Sequence, residues 1–142
     1  MQLPSRLEAL VLKTGLRIAL LSEQDRSLVL ALAACAIEPG RPWREDEVNR
    51  RLRDWLADVG PMLHTDHVEL RRWLVDAGYV VRDDWGHAYA RGPAQLGQAR
   101  QVLGTTDAAA LASAVRSTRI AAQFARMARQ RSFEGRRRSS VL

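Results

Sequence analysis

The chain has 142 residues, 46% of them hydrophobic, and a formal net charge of +6. That is the size of one ordinary domain with enough apolar material for a core, which excludes a wholly disordered chain. A single cysteine, Cys35, excludes a disulfide framework and a cysteine-based zinc cluster, and the longest apolar run, Leu28 to Ile37, is too short for a membrane helix.

Ser5-Arg6-Leu7-Glu8 has capping-box spacing, and Leu7, Leu10 and Val11 follow on one face. This predicts a short N-terminal helix within residues 1–15, closed by Gly15. No apolar stretch follows a basic start there, so the segment does not read as a signal peptide and a reduced, cytoplasmic protein is expected. Leu16 to Leu21 partly alternates and reads as a short strand. Ser22 caps the next helix, with Glu23 and Asp25 in its first turn complementing the helix dipole. Its body, from Leu28 to Ile37, is apolar all round, which places it at the centre of the core. Pro39-Gly40-Arg41-Pro42 stops it.

A third helix is predicted over residues 44–59. Val48, Leu52, Trp55, Leu56 and Val59 form its apolar stripe, Gly60-Pro61 closes it, and Trp43 is positioned to staple its start. A fourth helix starts at Thr65 or Asp66, where Asp66 and Glu69 have the spacing of a capping pair. Leu70, Trp73, Leu74 and Ala77 make its inner face, and Gly78 ends it. Tyr79-Val80-Val81-Arg82 and His87-Ala88-Tyr89-Ala90-Arg91 flank Asp83-Asp84-Trp85-Gly86, which reads as a β-hairpin with a four-residue loop. Three helices with a hairpin directly after the last follow the order of a winged helix-turn-helix. The expected fold is therefore mainly α with a small β-hairpin, a winged helix-turn-helix domain over residues 16–91.

The texture changes after residue 92. Residues 1–91 carry 13 Lys+Arg against 14 Asp+Glu, a net of −1, whereas residues 92–142 carry 9 Arg against Asp107 and Glu134, a net of +7. Pro93 to Thr105 reads as a connector, and Thr106-Asp107 opens a long basic C-terminal helix within residues 92–134. One side of it holds Ala110, Ser113, Ala114, Ser117, Ile120, Ala121, Phe124, Met127 and Ala128; the other holds Arg116, Arg119, Arg126 and Arg129. Residues 135–142, with Arg136-Arg137-Arg138, are too charged to pack and are expected to be a disordered basic tip.

The run Pro39-Gly40-Arg41-Pro42-Trp43-Arg44-Glu45-Asp46-Glu47-Val48-Asn49 is followed by Asp66 and by Leu70-Arg71-Arg72-Trp73-Leu74-Val75-Asp76-Ala77-Gly78. Arg82, Gly86 and Tyr89 come next. This series resembles the pattern of a bacterial family catalogued as domain of unknown function 2087, over about residues 16–91. The family pattern is a P-G-R turn with an aromatic residue, E-x-E-V-N, a later Asp, L-R-R-x-L-V-D-x-G, and an R…G…Y hairpin. The resemblance implies a small winged-helix-like module, one often attached behind ArsR-type repressors, and carries no catalytic residues.

Among the chemistry-bearing residues, no pair of carboxylates, nucleophile with base, or glycine-rich phosphate loop stands at a spacing that catalysis requires, so no enzyme and no cofactor is expected. His64, Asp66 and His67 are close enough to hold a metal, but such a group at a helix start reads as a cap with two histidines, and no metal is expected. The expected partner is nucleic acid, DNA before RNA. In a winged helix the fourth helix enters a groove, so His67, Arg71 and Arg72 are candidate contacts, joined by Arg82, Trp85 and Arg91 on the wing. Asp66 and Glu69 repel phosphate there, and Arg71 and Arg72 have a competing role in ion pairs with Glu45, Asp46, Glu47 or Asp76. The stronger polyanion candidates are Arg116, Arg119, Arg126, Arg129, Arg136, Arg137 and Arg138. Trp55, Trp73 and Cys35 are assigned to packing, and Trp85 to an exposed hairpin tip. The small-residue face of the last helix suits close helix packing and a homodimer. The competing function is a protein-interaction or oligomerisation module with no nucleic-acid readout.

Overall fold

The computed structural model describes residues 1–92, 96–105 and 107–140, with the side chains of residues 96–99 and 138–140 left aside. The first helix, α1 (Ser5–Val11), starts behind Pro4 and carries no side-chain cap, so Ser5 is its first residue and not its cap. Its face of Leu7, Leu10 and Val11 is fully buried. Residues 16–21 form no strand. Leu16 makes one parallel bridge to Leu63, and Ile18–Leu20 close a single 3₁₀ turn. The alternation there is too short to outweigh the turn, which also buries Ile18.

Helix α2 (Glu23–Ala34) begins where Ser22 accepts a hydrogen bond from the Asp25 amide. Leu28 through Ala34 are all buried, so the apolar run is the centre of the core. After the Pro39–Pro42 turn comes a two-residue strand, β1 (Trp43–Arg44), and then α3 (Glu45–Asp58), whose N-terminus is closed by the Glu47 carboxylate accepting from the Arg44 amide at 3.1 Å. Val48, Leu52, Trp55 and Val59 are buried along its stripe. Helix α4 (His67–Asp76) is capped by Asp66, which accepts from the Glu69 amide at 2.8 Å. At its end the Tyr79 amide bonds the Leu74 carbonyl and the Gly78 amide bonds Val75, a Schellman closure that requires the left-handed φ of +82° at Gly78.

The hairpin pairs β2 (Val80–Arg82) with β3 (Ala88–Arg91), and β1 adds to the free side of β3 with Trp43 opposite Tyr89. The sheet is antiparallel, in the order β1-β3-β2. The element order α2-β1-α3-α4-β2-β3 is that of a winged helix-turn-helix, with α4 in the recognition position and the hairpin as wing. Trp43 thus enters the sheet while standing, buried, directly before the N-cap of α3. Gly92 follows at a close approach: a Cβ there would lie 2.2 Å from the Gly78 carbonyl oxygen.

The core does not stop at residue 91. A helix, α5 (Leu96–Leu103), stands where a plain connector is expected, and it packs on α2. The long helix α6 (Ala108–Ser140) buries Leu111 and Val115 against the body and touches α1. It runs as helix through residues 135–140, where a disordered tip is expected. Arginine is a good helix former, and Gly135 alone is too weak a breaker to stop the helix. The Pro93 start of the connector and the Thr106 cap lie outside the described residues. Every described side chain from Gln123 to Arg137 is exposed, so the distal half of α6 stands clear of the body.

Candidate nucleic-acid interface

The described arginines singled out by the sequence divide into those engaged within the fold and those left free. On α4, Arg71 turns inward. Its Nη1 donates to Asn49 Oδ1 on α3 and stands 3.1 Å from Glu45 Oε1, and its guanidinium lies 5.7 Å from the Tyr89 ring centroid. With only 18% of its side chain exposed, Arg71 ties α3 to α4 and to the sheet. Four motif positions, Glu45, Asn49, Arg71 and Tyr89, are therefore one cluster. Arg41 and Trp43 form a second, with the Arg41 guanidinium 3.4 Å from the Trp43 ring centroid and 3.3 Å from Glu47 Oε2.

Arg91 is a correction to the list of wing contacts. Its Nη1 donates to the carbonyls of Ala34 at 2.7 Å and Ile37 at 3.2 Å, closing the C-terminus of α2, and its Nε is buried without an acceptor. A side chain spent on two carbonyls beneath the sheet is not offered to a ligand. Two tail arginines are likewise drawn in. Arg116 forms a bidentate pair with Asp58 at 2.7 and 2.8 Å, and Arg119 donates to the Val11 carbonyl at 2.6 Å, so both anchor α6 to the body. The hydrogen bond from Arg116 holds the Asp58 carboxyl below its ordinary range. Arg6 does the same for Asp25, tying α1 to α2 with contacts of 2.8 and 2.6 Å.

On α4, the wing and α6, the arginines with no partner among the described residues are Arg72, Arg82, Arg126, Arg129 and Arg131, all exposed. Arg72 and Arg82 both line a cleft of about 290 Å³ between α4 and the wing, together with Arg71, Val68, Val75 and Tyr89, with Asp76 as its one acid. Trp85 stands at the hairpin tip, 77% exposed. His67 is half-buried beside the Asp66 cap, and His64 is exposed. Asp66 is engaged as the cap, and among the described residues no group of three or more His, Cys, Asp or Glu is placed to hold a metal. Arg126 and Arg129 project from the free half of α6; Arg136 donates weakly to Ser132 of its own helix at 3.5 Å, and Arg137 also has a partner. The side chain of Arg138 lies outside the described residues. Cys35 is half-buried with its thiol pushed up by burial. Among the described residues no helix is long and apolar enough to cross a membrane.

A family model described as an uncharacterized protein conserved in bacteria matches residues 21–91, the segment from α2 to the end of the hairpin. The chain belongs to the DUF2087 family. The match ends where the wing ends, so α1, α5 and α6 stand outside it although they share its core. No curated protein and no solved structure matches the chain.

Sequence reasoning missed β1 and α5; of the ion pairs it expected for Arg71 and Arg72, the structure forms Arg71–Glu45 and, among the described residues, none for Arg72. The one signal available for Arg71 was the E-x-E-V-N run, whose Glu45 and Asn49 are its partners.

Proposed function

We propose that this DUF2087 protein is a non-catalytic nucleic-acid-binding winged-helix protein of the bacterial cytoplasm, acting on DNA in gene regulation and gripping phosphates more than reading bases. One observation carries the reading: among the described arginines whose side chains have no internal partner, two stand at the α4–wing cleft (Arg72, Arg82) and three follow one another on the projecting half of α6 (Arg126, Arg129, Arg131), the others being the scattered Arg17, Arg50, Arg53 and Arg100. Cationic side chains without internal partners gather phosphates and release counterions. Trp85 adds an exposed ring beside the wing, suited to stacking on an unpaired base.

Base readout is the weaker part. The first turn of α4 presents Asp66 and Glu69, which repel the backbone, and Arg71 is committed to Glu45 and Asn49. That leaves His67 and Arg72 at the groove, too few for a long sequence code. The competing reading, a protein-interaction module, draws on the same acidic first turn.

The test is duplex binding by two triple or double variants, each with its fold checked by circular dichroism. Arg126→Gln with Arg129→Gln and Arg131→Gln lowers affinity for all sequences alike; Arg72→Gln with Arg82→Gln lowers it further. If neither variant changes duplex affinity, or the parent chain binds no nucleic acid at low salt, the interaction-module reading takes its place.

A further inference from the structure

The cleft between α4 and the wing keeps unused hydrogen-bond donors at its floor as well as at its rim. Tyr89 is buried and Arg71 nearly so, and these two form the floor. Arg72, Arg82, Val68 and Asp76 are exposed and form the rim, with Val75 half-buried between. Strand register sets Arg82 directly opposite Tyr89, on the same face of the sheet. On α4, Val68, Arg72 and Val75 stand at i, i+4 and i+7, on one side of the helix.

Arg71 is bonded through Nη1 alone, to Asn49 and Glu45. A guanidinium carries five N–H donors, and those on Nε and Nη2 of Arg71 have no acceptor among the described residues. Arg72 and Arg82 have none of their donors engaged. Three guanidiniums with unspent donors therefore line one cleft of about 290 Å³, against a single lining carboxylate, Asp76. Arginine cannot accept, so the complement of such a cleft is an oxyanion.

We propose that this cleft is a binding site for a small organic phosphomonoester, its phosphate held by Arg71, Arg72 and Arg82 and its apolar body lying on Val68 and Val75. The head follows from the donors. The three terminal oxygens of a monoester offer an acceptor to each guanidinium, whereas a diester or a carboxylate offers only two such oxygens. The body follows from the valines. Val68 is 41% exposed at the rim, an apolar surface that an apolar ligand group covers. The volume stands at the low end of ligand pockets, roughly 300–1,000 Å³, so a phosphate with a single ring fills it. Arg72 and Arg82 also meet the duplex in the proposed function, so a bound phosphomonoester and the duplex exclude one another. That consequence rests on the nucleic-acid reading; the site itself does not.

Isothermal titration of the full chain with phenyl phosphate, at pH 8 and fixed ionic strength, tests the site. The expected result is saturable one-to-one binding, with inorganic phosphate and the diester methyl phenyl phosphate each weaker by at least about threefold. Arg72→Gln with Arg82→Gln, its circular dichroism spectrum matching the parent's, lowers phenyl phosphate affinity at least about tenfold through two lost charge-assisted contacts. Val68→Ser narrows the advantage over inorganic phosphate. In a duplex-binding assay at the same ionic strength, saturating phenyl phosphate weakens binding severalfold. No saturable binding, equal affinity for inorganic phosphate or the diester, or an unchanged double variant overturns the proposal, as does an advantage that survives Val68→Ser intact. Duplex affinity untouched by saturating phenyl phosphate overturns the competition. A chain that takes phenyl phosphate but no duplex supports the site and refutes the nucleic-acid reading alone.

Discussion

Replacing Arg91 with alanine separates a structural arginine from a ligand-binding one. Its Nη1 bonds two carbonyls at the end of α2, those of Ala34 and Ile37, whose residues are fully buried. A hydrogen bond from a charged donor contributes about 1.5–3 kcal/mol, and a buried acceptor left without a donor costs about 1–3 kcal/mol. Against this stands relief of the guanidinium's own desolvation and of its unpaired Nε, about 1–2 kcal/mol. The net loss is about 2–3 kcal/mol, which for a chain of this size lowers Tm by about 6–12 °C. Arg91→Lys recovers under half, since an ammonium lacks the planar fork. Thermal unfolding followed by circular dichroism reads the shift, and duplex binding measured well below Tm reads the other role. An Arg91→Ala variant that melts with the parent yet loses duplex affinity refutes the assignment of this side chain to α2.

Arg71→Met removes the tie between α3, α4 and Tyr89; with Glu45 half-exposed the loss is about 1–2 kcal/mol, read as a lower urea midpoint, and Asn49→Ala lowers it by a similar amount without additivity. A double variant whose loss equals the sum of the two contradicts the cluster. The carboxyls of Asp25 and Asp58 are both held below their ordinary range by arginine partners, so their contribution is present above the unfolded carboxylate value near about pH 4 and is lost as pH falls through the folded values. Stability therefore declines in acid, and Asp25→Asn flattens that decline; an unchanged pH profile in the variant contradicts the pairing with Arg6.

Local signals carried the central fold. The uninterrupted run from Leu28, the stripe of α3, the Asp66 cap and the Gly78 stop each depend on residues within a turn or two, and each appears where the pattern places it. The elements that escaped depend on distant partners. Two residues, Trp43–Arg44, become a strand only because Tyr89 and Ala88 lie beside them. Helix α5 carries glycine and glutamines and gains its place by packing on α2. The docking of α6 on the body was not legible in the sequence for a clear reason. An arginine-bearing face reads as solvated, yet arginine stems cover apolar surface while their heads find acceptors, here Asp58 and the Val11 carbonyl. The same blindness governs the candidate site. The nine arginines after residue 91 are visible in the sequence, but which of them are engaged depends on partners up to 108 residues away.

The most direct test of the central claim is the affinity of the full chain for a random-sequence DNA duplex as a function of salt. If the free arginines Arg72, Arg82, Arg126, Arg129 and Arg131 each meet a phosphate, log K falls against log salt with a slope of roughly −4 to −5, at about 0.9 per contact. Removing the three on α6 reduces the slope by about 2–3. Binding that is absent at low salt, or that does not weaken as salt rises, contradicts the account.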